Sequence, residues 1–140
     1  MNVRVLLIAL LSWAAPALAD DGFVVIVHPA SAVQALSRRE LSELFLKKTA
    51  RWSDGSEVQP VEPPERSAAR QRFSEIVHRR SLAAVKAHWS RVIFAGRDVP
   101  PVEKPSDAEV VAFVQRTPGA IGYVAAGVPT PGVRTVKVGE

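Results

Sequence analysis

The residues best placed to do chemistry lie where a proline pair gives way to a helical pattern, Pro63-Pro64-Glu65-Arg66-Ser67-Ala68-Ala69-Arg70. The first N–H groups of a helix have no partner inside it, and the helix dipole puts partial positive charge there, so small anions are attracted. Ser67 can offer a hydroxyl to such an anion, Ala68 and Ala69 can offer backbone amides, and Arg66 and Arg70 add charge. A plain structural reading competes with this one. Serine is a favoured helix cap, and arginines beside it can simply face water.

Other chemistries find little support. His28, His78 and His88 show no metal-ligand spacing, with neither H-x-x-x-H nor H-E-x-x-H present. They are expected to be partly buried and hydrogen-bonded. There is no G-x-S-x-G nucleophile turn and no glycine-rich phosphate loop. The near pairs of carboxylates, Glu62 with Glu65 and Asp107 with Glu109, fall beside prolines or in a helix cap, which does not suit paired-carboxylate hydrolysis. Trp52 and Trp89 are expected in the core. The expectation is a protein that is not an enzyme and has no cofactor.

The elements that would position Ser67 can be read in order. Phe23 to Val27 is an apolar, β-branched run suited to a strand buried on both faces. A turn or short helical stretch is expected over 30–35. Ser37 with Glu40 three residues on forms a capping box, and opens a helix with Leu41, Leu44 and Phe45 inward and Lys47 and Lys48 in its last turn. Trp52-Ser53-Asp54-Gly55 reads as a turn and 57–61 as an alternating strand stopped by Pro63-Pro64. The helix from Ser67 turns Ala69, Phe73, Ile76 and Val77 inward. The next, from Ser81 to Phe94, carries Leu82, Val85, Trp89, Val92 and Ile93 at helical spacing. A second capping box, Ser106 with Glu109, starts a helix burying Val110, Phe113 and Val114, and strands follow over 121–124 and 133–138. The order β–α–β–α–α–α–β–β predicts a small α/β domain with helices packed on a central sheet.

The N-terminus reads as an export signal. Arg4 precedes an apolar stretch from Val5 to Leu11, and Ala17-Leu18-Ala19 supplies the small-x-small cleavage pattern. Residues 1–19 are expected to be removed before Asp20, leaving one domain, 20–140, that is periplasmic and not inserted in a membrane. The 140 residues include no cysteine, which excludes disulfides and attachment through an N-terminal cysteine. Net charge is +4, and near +3 once Arg4 is lost with the leader. That is too mild a bias for a nucleic-acid partner, which needs basic side chains gathered on one face.

Three segments in this order resemble one lobe of the phosphate-binding proteins of ABC transporters. They are Leu36-Ser37 through Phe45-Leu46-Lys47-Lys48 to Trp52, then Ser67-Ala68-Ala69 to Phe73, then Pro118-Gly119-Ala120-Ile121-Gly122-Tyr123-Val124. The resemblance implies a single-lobe, periplasmic-binding-protein-like domain that binds a small oxyanion, phosphate-like, at the Ser67 helix start. It also departs from the family. Lys47 replaces a glycine, Ala68-Ala69 replace Gly-Thr, and the arginine expected four residues before the serine falls on Pro63. The resulting expectation is weak oxyanion binding through Ser67, Ala68, Ala69, Arg66 and Arg70. The alternative is an interaction module that has lost its ligand and partners the extracytoplasmic part of a membrane sensor or transporter. Lys47, Lys48 and Arg51 could serve such a site or simply keep the surface soluble.

Overall fold

A computed structural model describes residues 21–140. The expected leader and its cleavage point before Asp20 lie outside the described residues. The elements are β1 (Phe23–Val27), β2 (Ala35–Ser37), α1 (Arg38–Phe45), β3 (Gln59–Glu62), α2 (Ala68–Phe73) continued by a π-helical turn (Ser74–His78), α3 (Leu82–Phe94), β4 (Val102–Glu103), α4 (Asp107–Arg116), β5 (Ala120–Ala125) and β6 (Arg134–Gly139). The strands form one mixed sheet in the order β2-β6-β1-β5-β3-β4. β1 runs antiparallel to both β5 and β6, while β3 is parallel to β5 and β4, and β2 to β6.

Both faces of the sheet are covered, which is why β1 reads as a continuous apolar run. Phe23, Val25 and Val27 point to one face and meet Leu41, Leu44 and Phe45 of α1 and Ala69, Phe73 and Val77 from α2 and the π turn. Ile26 points to the other and meets Val110, Val111 and Val114 of α4. Gly122 of β5 lets α4 approach, because a Cβ there would stand 2.8 Å from Val61 Cγ1 and 3.0 Å from Val110 Cγ1. A smaller cluster of Leu46, Val85 and Trp89 holds α3.

The α/β class and most elements agree with expectation, and the differences have local causes. Residues 30–35 contain no helix, and Ala35 begins β2, an edge strand that exists through its parallel pairing with Lys137–Gly139. Lys47 and Lys48 lie beyond α1, which stops at Phe45 with Leu46 as C-cap, and Lys47 takes the left-handed φ of 55°. β3 does not alternate: Pro60, Val61 and Glu62 are all buried, since the strand is covered on both faces. The Ser106 cap accepts from Glu109 N, but the reciprocal half of the box present at Ser37 does not accompany it. Val111 is buried beside Val110 and Val114, with Phe113 only partly covered. Ile93 is 51 % exposed instead of inward.

The turns that frame the sheet end are tied together. Asp54 Oδ1 accepts from Ser56 N at 2.8 Å, and Trp52 Nε1 donates to Gly119 O at 2.9 Å. Gly119 has φ of 82°, and a Cβ on it would collide with the Glu57 carbonyl oxygen. Trp52 is therefore an anchor for the Pro118-Gly119 turn, and Trp89 is a core residue, 8 % exposed.

Candidate functional site

The start of α2 is built by the proline pair. Pro63 and Pro64 end β3, and Ser67 N donates to Pro64 O at 2.9 Å, closing a turn that sets the helix axis. Ser67 has extended backbone angles (φ −67°, ψ 128°), as an N-cap residue should. Its hydroxyl makes no capping bond, unlike those of Ser37, Ser81 and Ser106. Arg70 N donates to Ser67 O at 3.1 Å and Gln71 N to the same oxygen at 3.3 Å. The amides of Ala68 and Ala69 have no acceptor among the described residues. One helix turn thus gathers a hydroxyl and two N–H donors that the fold does not use, and the plain capping role for Ser67 is not taken up.

The two arginines behave differently. Arg66 Nη2 donates to Pro105 O at 3.3 Å. Arg70 is largely buried and committed: Nη1 donates to Pro63 O at 3.1 Å and to Glu103 Oε2 at 2.7 Å, and Nη2 lies 3.3 Å from Glu62 Oε2. Tyr123 O–H donates to Glu62 Oε1 at 3.2 Å. Burial pushes the Glu62 carboxyl above its ordinary pKa, and the Arg70 charge and the Tyr123 hydrogen bond pull it back. Glu65 is held by Lys86 Nζ at 2.9 Å. Ser67, Ala68 and Ala69 are therefore brought together, while Arg70 is part of a buried charge network that joins β3, β4, β5 and α2. In the sequence Glu62 stands only as a carboxylate beside prolines, and nothing there reveals its partners in this network. Its one local signal was a carboxylate set directly between Pro60-Val61 and Pro63-Pro64.

The histidines match the expectation of partial burial and hydrogen bonding at His78, whose Nδ1 lies 2.7 Å from Ser42 Oγ. Burial drives the His78 pKa down to about 4, helped by the charges of Arg80, His88 and Lys48. So weak a base does not activate a serine at neutral pH, and no carboxylate is bonded to the ring among the described residues. A pH effect follows. Between pH 6.5 and 4 the unfolded chain binds a proton that folded His78 refuses, so stability falls as pH falls, by about 2–3 kcal/mol at pH 4.5. Glu62 acts in the opposite sense, because its raised pKa favours the folded state at low pH. Urea unfolding of wild type and His78→Asn at pH 7 and 4.5 separates the two, with a smaller acid loss expected in the variant. Equal losses would rule His78 out as their source.

Among the described residues no group of His, Asp and Glu is arranged to hold a metal ion, and no helix is long and apolar enough to cross a membrane.

A family model of the PBP superfamily domain matches residues 15–137. No curated protein matches the sequence. Solved structures do match in fold. A Clostridium perfringens protein, assigned as a phosphate ABC transporter substrate-binding protein and solved with bound phosphate, is similar with a TM-score of 0.65 at 20 % identity, covering 85 % of this chain and 46 % of its own. An ABC-type phosphate transport receptor from Vibrio cholerae gives 0.56 at 16 % identity, covering 84 % and 46 %. PstS from Borrelia burgdorferi gives 0.59 at 12 % identity, covering 85 % and 47 %. The chain thus spans about half the length of these proteins, and at such identities the likeness is one of fold.

Proposed function

Because the chain belongs to the PBP superfamily domain family, we propose that it is a periplasmic, non-catalytic binding lobe that takes a small oxyanion, phosphate first, at the start of α2. The observation that carries this reading is the uncommitted Ser67 hydroxyl beside the free amides of Ala68 and Ala69. Tetrahedral oxyanions suit unused donors grouped at a helix N-terminus. The binding is weak. Arg70 is neutralised by Glu62 and Glu103, Arg66 is exposed, and a single lobe leaves the anion facing water, where each hydrogen bond counts for less. A Kd near 1 mM, about −4 kcal/mol, is the expected order.

Isothermal titration with phosphate at low salt tests this. Saturable heat is expected for the wild type, and at least tenfold weaker binding for Ser67→Ala, the loss of one hydrogen bond to a charged group. No heat in either protein would remove ligand binding from the reading.

A second reading is favoured by a separate observation. Ile93 (51 % exposed) and Phe94 (95 %) at the end of α3, Val99 (60 %) in the loop that follows and Val102 (43 %) on the edge strand β4 are exposed apolar residues. Surface of this kind suits a protein partner, here the extracytoplasmic part of a membrane sensor or transporter. A photo-cross-linking residue at Val99 that captures a partner, and captures none once Phe94→Asp is added at an unchanged melting temperature, would support it; absence of any cross-linked partner would count against it.

A further inference from the structure

A second cluster of charge lies away from the α2 start. α1 and the π turn face each other across a cleft of about 500 Å³ whose lining includes Arg38, Arg39, Ser42, Lys48, His78 and Arg79. The carboxylates that share the lining are those of Glu43 and Glu140, and Glu43 is already bonded to Arg39 Nε at 3.2 Å. Arg38, Lys48 and Arg79 have no carboxylate partner among the described residues.

Three further features converge on the same cleft. Arg38 Nε is shielded from water and has no hydrogen-bond partner, and a buried donor left unmatched calls for an acceptor. The π-helical turn, a geometry that recurs at functional sites, carries His78 to within 2.7 Å of Ser42. The turn ends on Arg79, a non-glycine residue at φ 54°. A β-carbon is disfavoured in that region, and such residues cluster at ligand sites. Arg79 thereby lines the cleft on a backbone that glycine would adopt more easily.

We propose that this cleft is a second anion-binding site, built for a small organic anion carrying two acidic groups. Its volume falls in the range of small-molecule sites and exceeds what one inorganic ion needs. Arg38 and Arg79 present the planar forks that grip phosphate or carboxylate through paired hydrogen bonds, while Lys48 adds a point charge. Ser42 and neutral His78 supply polar atoms on the cleft wall. Phosphate and carboxylate groups share this chemistry, and the choice between them is experimental.

Isothermal titration of the protein with inorganic pyrophosphate and, separately, with citrate at low salt tests the site. Saturable binding of at least one probe is expected, at least tenfold weaker in Arg38→Gln and in Arg79→Gly. Arg79→Gly keeps the test sound if Arg38→Gln folds poorly, since glycine relieves the left-handed strain and should melt no lower than wild type. Pyrophosphate alone would assign a phosphorylated ligand, and citrate alone a polycarboxylate. No saturable heat with either probe overturns the proposal. So does binding that keeps its full strength in both arginine variants, which would place the anion outside this cleft.

Discussion

Replacing Arg70 by alanine is expected to destabilise the fold by about 3–5 kcal/mol, the cost of leaving a buried charge without its partner. Arg70 and Glu62 have side chains only 11 % and 9 % exposed, and the guanidinium also satisfies Pro63 O and Glu103. With Arg70 gone, burial pushes the Glu62 carboxyl further up, so Glu62 is driven to take a proton. The sign of the pH dependence follows. A carboxyl whose folded pKa is raised stabilises the fold below its unfolded pKa and loses that contribution as pH rises through the folded value. Arg70→Ala is therefore expected to be least stable relative to wild type at neutral and alkaline pH, and to recover in mild acid. Adding Glu62→Gln removes the charge and keeps an acceptor for Tyr123, so the double variant should regain most of the loss. Urea unfolding across pH for the two single variants and the double variant measures this. A change below 1 kcal/mol in Arg70→Ala, or no rescue by Glu62→Gln, would show that the pair does not hold the sheet edge and would free Arg70 for a ligand.

Phe73→Ala is expected to cost about 3–5 kcal/mol, in the range for a fully buried aromatic residue. Phe73 has no exposed surface. Its ring stacks on Tyr123 at 3.9 Å between centroids and meets Phe45 edge-on at 4.9 Å and Phe23 at 5.3 Å. The ring therefore pins α2 to β1, β5 and α1 at once, and each aromatic pair adds to plain area burial. A domain of this size has about 5–15 kcal/mol in all, so the variant should be close to unfolding at 37 °C. Phe73→Leu, which refills part of the space, should lose clearly less. Denaturant midpoints with unchanged slope would report these losses. A Phe73→Ala loss under 1 kcal/mol would mean that the neighbouring rings close the cavity, and that α2 is held by other contacts.

The α2 start was legible because its signals are local. Pro63-Pro64 stops a strand, Ser67 opens a helix, and Phe73 lies six residues on, one face of the helix away from solvent. The capping box at Ser37 and Glu40 was legible for the same reason, since both halves fall within one helical turn. The partners of Arg70 were not legible from equally local information. On the helix it neighbours Ser67, but its acceptors lie on β3, on β4 and on the carbonyl of Pro63, and Glu103 is 33 residues distant. Ser42 and His78, 36 residues apart, carried no mutual signal in the chain.

From the sequence alone came the α/β class, the family resemblance, most of the interior stripes of the helices and the serine that opens α2. Periodicity, caps and turn residues act over a few residues, where backbone geometry and side-chain chemistry decide the outcome. The tertiary structure alone decided the edge strands β2 and β4, the burial of Glu62 with Arg70, the meeting of Ser42 with His78, and the cleft that Arg38 and Arg79 share. Each of these depends on which distant segments the sheet and helices bring into contact. Short edge strands lack a pattern of their own, and a charge is free or committed only once its surroundings are known.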